Sequence, residues 1–436
     1  MNAHPAPQTA RPADATDALN AAPAAHATPL FDASPRAAWL AVASMAVGTF
    51  ATVTTEFMPI GLLTDIAADL NVTKGAAGLM ITVSAIAAAI AGPALVVMSG
   101  RLDRRKVMVA LSSLLIASNV LAALAPNLTV MLVARFLLGL CVGGFWTFAP
   151  GATAQLVPAA KQARAISLVL AGVSLATVLG VPAGAFAGSH AGWRAAFAGT
   201  AVLSVAVLAV QMWLLPSMPP SRAIKPRDLL APFRSRLAVV GLTLVLFLIA
   251  GHFAAYTYLK PLLEQVFGLS PDAVTTLLLV YGAAGFIGTF AGGLLVEKSV
   301  RWTAMLAAAM IAFVLLVTAV AGSGFGLGIA LIAIWGIAFG LVPVSLTSWM
   351  MKAVPDAPEA GQALLVTGFQ VAIASGALLG GFAVDSYGVP SAAWLGGGLA
   401  LFAVGIIAVF GGAGTAVTSR REVGGVAGMA GCEVVK

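Results

Sequence analysis

The amino-acid sequence predicts an all-α membrane protein of about twelve transmembrane helices in two pseudo-symmetric six-helix halves. Three observations predict it. Of 436 residues, 60% are hydrophobic and only 9% charged, with a mean hydropathy of +1.00, far from the composition of a soluble core of this length. The apolar residues fall in twelve runs, each long enough to cross ~30 Å of hydrocarbon as a helix. The runs are continuous and do not alternate, which argues against transmembrane strands.

The first six runs cover residues 38–63, 75–98, 107–124, 129–154, 164–188 and 194–215. The second six cover 237–263, 272–296, 302–321, 325–351, 361–384 and 391–412. Residues 1–36 are rich in Ala, Pro, Thr and Asp, lack the basic start and apolar stretch of a secretory signal, and read as a disordered cytoplasmic tail. The N-terminal six-helix half spans 37–215 and the C-terminal half 237–412, separated by a basic, Pro-rich cytoplasmic linker at 216–236. Residues 413–436 are Gly-rich and read as a flexible cytoplasmic tail. Weak internal repetition supports the division: LGVPAGAFAGSHAGW (Leu179 to Trp193) and LLGGFAVDSYGVPSAAW (Leu378 to Trp394) each end a run with small residues and reach a Trp after a short loop.

Charge sets orientation. With both termini in the cytoplasm, 19 Lys and Arg lie inside, and only Lys74, Arg194 and Lys260 lie outside, with Arg135 within a run. The positive-inside rule therefore predicts a multi-pass inner-membrane protein with both termini cytoplasmic. The net charge of +7 is topological and supports no nucleic-acid partner. Cys141 and Cys432, and the scattered His4, His26, His190 and His252, give neither a disulfide nor a metal site. No cofactor is implied.

The stretch Thr52 to Leu63, TVTTEFMPIGLL, places Glu56 inside an apolar run. An intramembrane carboxylate is expensive and marks a functional site by default. Glu56 lies seven residues before Leu63, and Arg135 seven after Leu128 on a helix of opposite direction. At ~1.5 Å per residue both sit roughly 10 Å inside the outer boundary. They can therefore pair, and protonation of Glu56 would then break the pair and couple proton binding to shape; the competing readings are a purely structural pair, or a Glu56 that faces a water cavity without Arg135.

Candidates for a substrate cavity are Thr55 beside Glu56, Trp146 and Thr147 in the fourth run, and His252 and Tyr256, four apart and so on one face of the seventh. Tyr281, Trp335, Ser345, Trp349 and Gln370 complete the set, rings for stacking on a flat polar ligand and hydroxyls or amides for hydrogen bonds, with packing or interfacial anchoring, and for His252 a hydrogen-bonded structural role, as the competing readings. Candidates for conformational gating are Asp103 and Arg104 in the loop SGRLDRRKV, where an acid among bases beside helix ends can latch through ion pairs and helix dipoles. Gly180, Pro182 and Gly184 in the fifth run are expected to form a hinge or seal, with packing by small residues as the competing explanation.

At these residues the chain resembles the major facilitator superfamily, and within it the drug:proton antiporter branch. TEFMPIGLLTDIAADL resembles the first-helix motif of that branch, RFLLGLCVGGFW its fourth-helix arginine motif and LGVPAG its fifth-helix antiporter motif. The loop departs from the superfamily pattern: Asp103 follows Gly100 by three residues instead of four, Ser99 takes the usual glycine place and the later glycine is missing. LGLCVGGFW, TYLKPLLE, GAAGFIGT and IWGIAFGLVPVSLTSWM look most like the purine ribonucleoside efflux pumps, and GHFAAYTYLKP also resembles arabinose-type sugar efflux proteins.

The resemblance implies the major facilitator fold and a monomeric, proton-coupled antiporter that exports purine ribonucleosides such as inosine. Its partners would be the small-molecule substrate, protons and the bilayer. Export of sugars or drugs is the alternative within transport, and a transporter-like sensor a further one. No phosphate-binding G-x-x-x-x-G-K-[ST] loop supports an ATP-driven pump. The runs also lack the paired acids, His clusters or Ser and Lys constellation of a membrane enzyme.

Overall fold

The computed structural model describes residues 35–98, 102–218, 232–320, 325–355 and 358–411. The expected tails, except Pro35 and Arg36 at the start of the first helix, and most of the linker lie outside the described residues. Twelve of the described helices are long and apolar enough to cross a membrane. The first six spans are Pro35–Asp69, Lys74–Met98, Arg104–Ala123, Leu128–Gln155, the interrupted helix from Gln162 to Ala191, and Trp193–Leu214. The last six are Arg236–Tyr256, Pro271–Lys298, Val300–Val320, Phe325–Ala353, Pro358–Tyr387 and Pro390–Phe410. Spans 1, 3, 5, 7, 9 and 11 begin at one end of the bundle, called here the basic end; the even spans begin at the opposite end.

The ends of the helices are written in their capping residues. Asn127 accepts from the Val130 N–H, Ser235 from Ala238 and Ser270 from Ala273, and Pro271 follows Ser270 where its missing N–H costs nothing. Spans 5 and 6 are joined through Gly192 (φ 84°) and spans 11 and 12 through Gly388 (φ 86°). That backbone favours glycine, and it recurs at corresponding places in the two halves.

Small residues let the helices approach, and they do so twice in one pattern. Gly172 of span 5 lies against the Ala46 carbonyl of span 1, and further along the same stripe Gly180, Gly184 and Gly188 face Thr54, Met58 and Leu62. In the second half Gly376 and Gly380 of span 11 lie against the backbone of Ala250 and Ala254 on span 7. Gly139 and Gly143 seat span 4 on span 2, as Gly336 and Gly340 seat span 10 on span 8. The two six-helix halves thus repeat the same close contacts.

Two spans differ from smooth apolar helices. Span 5 contains a π-helical turn at Ala176–Gly180, just before Pro182, which cannot donate to the Val178 carbonyl. The expected seventh run, 237–263, is divided: its helix ends at Tyr256 and a short helix follows at Leu259–Gln265. Pro261 lacks the N–H that would have bonded the Thr257 carbonyl, so the break falls one turn ahead of it.

Hydrogen bonds between the halves, among the described residues, lie from mid-bundle to the opposite end. Lys260 reaches Asp65 at 2.5 Å and Thr64 donates to Glu264 at 2.8 Å. Asp385 accepts from the Gly75 N–H at 2.9 Å and the Thr73 hydroxyl at 2.6 Å. No hydrogen bond joins the halves at the basic end among the described residues. Among the described residues, the clasp between the halves lies toward the opposite end.

A carboxylate and an aromatic cluster at the half interface

Pro59 explains how Arg135 is held. Because it lacks an N–H, the Thr55 carbonyl four residues earlier loses its helical donor. Arg135 replaces that donor: Nη1 and Nη2 each reach the Thr55 oxygen at 2.9 Å, and Nη2 also reaches the Glu56 oxygen at 2.9 Å. Nε points to the Met80 carbonyl at 3.4 Å, and the guanidinium lies 5.9 Å from the Phe197 ring centre. Arg135 is fully buried and tied to backbone, with its planar fork used as a two-carbonyl clamp.

The expected ion pair is therefore corrected. Arg135 and Glu56 do meet at one depth, but no contact within ion-pair distance joins guanidinium and carboxylate. The Glu56 carboxylate turns toward the other half, where Gln370 of span 11 donates from Nε2 at 3.4 Å. Glu56 and Gln370 are each 5% exposed, and the Gln370 Oε1 has no hydrogen-bond partner. Arg135 still faces Glu56 as a charge, acting through the field across one backbone layer.

Thr55 is also placed differently from expectation. Its hydroxyl donates to the Ala51 carbonyl at 2.8 Å and accepts from Asn119 Nδ2 at 3.2 Å, and Asn119 in turn accepts from Thr200 at 2.9 Å. That chain ties spans 1, 3 and 6 inside the first half, away from the half interface.

The second half contributes an aromatic cluster. His252 stacks on Phe339 at 3.9 Å and on Tyr256 at 4.9 Å, and Tyr256 stacks on Tyr281 at 4.8 Å. Trp335 donates its indole N–H to His252 Nδ1 at 3.0 Å. Because Nδ1 accepts, the ring proton of the neutral imidazole sits on Nε2, which faces the Tyr281 hydroxyl at 3.5 Å. Phe253 next to His252 stacks across the interface on Phe57 at 5.7 Å, and Phe57 is the residue after Glu56. The cluster and the carboxylate are thus neighbours through one aromatic pair.

The remaining expected cavity residues are not brought to this place. Thr147 bonds its own helix at Gly143, and Trp146 packs in the first half edge-on to Phe145. The Ser345 hydroxyl returns to the Val342 carbonyl, and Trp349 donates to the Leu237 carbonyl near the basic end, tying spans 10 and 7.

The contacts of the gating candidates among the described residues lie in the first half and the start of the linker. Asp103 caps span 3 by accepting from the Arg105 N–H at 2.7 Å, and it accepts from the Met218 N–H at 3.0 Å and from the Ser217 hydroxyl. Partial burial opposes its charge, but the bonds from Ser217, Met218 and Arg105, with Lys106 nearby, outweigh that and hold its carboxyl below the usual carboxylate range. Arg104 lies over the Phe148 ring at 4.6 Å, and its N–H bonds the Met218 carbonyl. Gly180 and Gly184 belong to the stripe against span 1, and Pro182 follows the π turn. Sequence reading passed over the clasp residues Asp65, Lys260 and Asp385; the signal was available as acids and a lysine at span ends, but their partners lie in the other half.

A family model described as the Major Facilitator Superfamily matches residues 45–364. Among curated relatives, the "Purine ribonucleoside efflux pump NepI" of Salmonella paratyphi C (strain RKS4594) is 33% identical over 377 residues, 86% of this chain and 95% of that protein. The protein of the same description from Salmonella paratyphi B (strain ATCC BAA-1250 / SPB7) is 32% identical over the same shares. Among solved structures, a D-xylose-proton symporter aligns with a TM-score of 0.67 at 18% identity, over 86% of this chain and 97% of that one. A bacterial homolog of the human lysosomal transporter Spinster, in an inward-facing and occupied conformation, aligns at 0.68 and 14% identity over the same shares. These two likenesses concern the fold. With the family model matched over most of its length, this multi-pass membrane protein belongs to the Major Facilitator Superfamily.

Proposed function

We propose that this protein is a proton-coupled antiporter of the cytoplasmic membrane that exports purine ribonucleosides such as inosine, working as a monomer with both termini in the cytoplasm. The observation that carries the reading is the buried carboxylate beside a cluster of His252, Tyr256, Tyr281 and Trp335 at the half interface. Flat rings with a fixed donor suit a heterocyclic base, and the identity to purine ribonucleoside efflux pumps supports the same cargo.

Glu56 is the proton carrier. Its carboxylate faces the other half, so a change in its charge is felt where the two halves must part. Arg135 holds the backbone of span 1 at the Thr55 and Glu56 carbonyls, directly behind the carboxylate. Gln370 is the partner that Glu56 loses when the halves separate. Alternation requires the Lys260–Asp65 and Asp385–Gly75 contacts to break while the basic ends come together.

The test is transport into everted membrane vesicles under an imposed proton gradient, with labelled inosine, arabinose and a cationic dye as parallel substrates. Inosine uptake that collapses with the gradient is the expected result. Movement of arabinose or dye alone would replace the cargo, and gradient-independent flux would remove the coupling. Glu56→Gln should abolish uphill movement and leave downhill exchange of inosine measurable; retained uphill transport with ordinary pH dependence would exclude Glu56.

A further inference from the structure

A cleft of about 820 Å³ opens on the flank of the bundle between spans 1, 5 and 8. Its walls are apolar, and Val47, Leu168, Leu175, Phe286 and Ile287 keep 41–61% of their surface exposed along it, so it faces hydrocarbon. Toward the opposite end it closes where Gly282 of span 8 packs against Thr177 and Val178 in the π turn of span 5. Below that contact spans 5 and 8, which belong to different halves, diverge.

The mouth toward the basic end carries a charge. Arg164 lies one turn before Leu168 on span 5, about 6 Å along the axis, and its guanidinium sits 5.5 Å from the ring centre of Trp39 on span 1. Arg164 forms no ion pair among the described residues. A tryptophan and an arginine at the end of a span mark the level of lipid headgroups. The cleft offers a nucleoside no wall of hydrogen-bonding groups, and hydrocarbon fills it at no desolvation cost.

We infer that this cleft is a binding site for an anionic phospholipid, with its phosphate on Arg164 beside Trp39 and one acyl chain between spans 5 and 8. Charge complementarity selects the occupant: a bidentate guanidinium favours a phosphate without a neutralising amine. Because the walls come from both halves, the chain acts as a wedge. Closing the basic end would bring spans 5 and 8 together along the cleft and expel it, so the bound lipid stabilises the form clasped at the opposite end.

The full-length protein, purified and delipidated, is titrated with dioleoyl-phosphatidylglycerol or dioleoyl-phosphatidylcholine, and retained lipid is counted by native mass spectrometry. One basic contact at a membrane surface predicts a preference of about fivefold for phosphatidylglycerol. Arg164→Gln should erase the preference and Arg164→Lys keep part of it. Ala171→Phe with Ala283→Phe, at two exposed cleft positions, should fill the slot and lower retention of both lipids.

Spin labels at Ala68→Cys and Gln265→Cys then report the distance between halves at the opposite end. Phosphatidylglycerol should enlarge the short-distance population, and the filled variant should be insensitive to it. Equal retention of both lipids unchanged by Arg164→Gln, or full retention by the filled variant, would overturn the site. Specific binding that leaves the distances unmoved would overturn the wedge. Neither readout uses transport, so their outcome is independent of the assigned cargo and of proton coupling.

Discussion

Pro59 and Arg135 form a unit in which one residue creates the need that the other satisfies. Without an N–H at position 59, the Thr55 carbonyl is a buried acceptor with no helical donor, and leaving such a group unpaired costs ~1–3 kcal/mol. Arg135→Ala removes both N–H bonds to that oxygen and should lower the apparent melting temperature of the detergent-purified protein by several degrees. Pro59→Ala restores an N–H within span 1. Combined with Arg135→Ala it should recover part of the loss, because the helix then satisfies Thr55 itself. A double variant no more stable than Arg135→Ala would show that the arginine stabilises through its charge or its contact with Phe197 instead. This coupling explains why the equal depth of Glu56 and Arg135 was legible from residue counting, while the direction of the carboxylate was not. Depth follows from helical rise alone, whereas direction depends on a proline-freed carbonyl that competes for the same guanidinium.

Among the helices, glycines divide by what they face. A Cβ built on Gly376 would fall 2.3 Å from the Ala250 carbonyl oxygen, a backbone atom that cannot turn aside, whereas Gly293 has nothing within 4 Å. Gly376→Ala should therefore cost ~1–3 kcal/mol through overpacking. Gly293→Ala should be neutral or stabilising by up to ~1 kcal/mol, since alanine is the better helix former. Thermal unfolding of the two variants checks the contrast in sign. At the start of span 3 the relevant property is charge. The Asp103 carboxyl is held below its ordinary value, so folding favours its ionised form. Its contribution is complete above about pH 4 and is lost as pH falls through the lowered native value. The stability gap between the wild type and Asp103→Asn should be constant from pH 6 to 8 and narrow in more acidic buffer. The twelve spans were legible because each is an apolar run of bilayer length, and the repeated loops before Trp193 and Trp394 announced the two halves. The π turn and the break at Thr257 and Tyr258 were hidden within equally apolar sequence. Only a proline two to four residues later hints at either.

At the scale of the whole molecule, the contacts between the halves gather toward one end of the bundle among the described residues. Lys260 is nearly buried, at 4% side-chain exposure, and depends on Asp65 for its main charge partner. Asp385 does for span 2 what a capping residue normally does within one helix: it accepts the Gly75 N–H and the hydroxyl of Thr73. The cap comes from the other half of the protein, so opening that end uncaps a helix as well as breaking an ion pair. A capping carboxylate contributes about 1 kcal/mol, and losing a largely buried lysine's partner costs more than a surface pair would. Asp385→Asn combined with Lys260→Met removes the charge from both contacts without leaving a buried ammonium unpaired. If the clasp sets the balance between states, amide hydrogen exchange in segments 74–80 and 378–385 should accelerate about tenfold, the factor for ~1.4 kcal/mol. Segments at the basic end, around Ser235 to Leu242 and Trp349 to Ala353, should exchange no faster, because closure there accompanies opening at the far side. Equal acceleration at both ends would mean that the substitutions loosen the bundle as a whole, and the clasp would then be a source of stability with no bearing on which face is open.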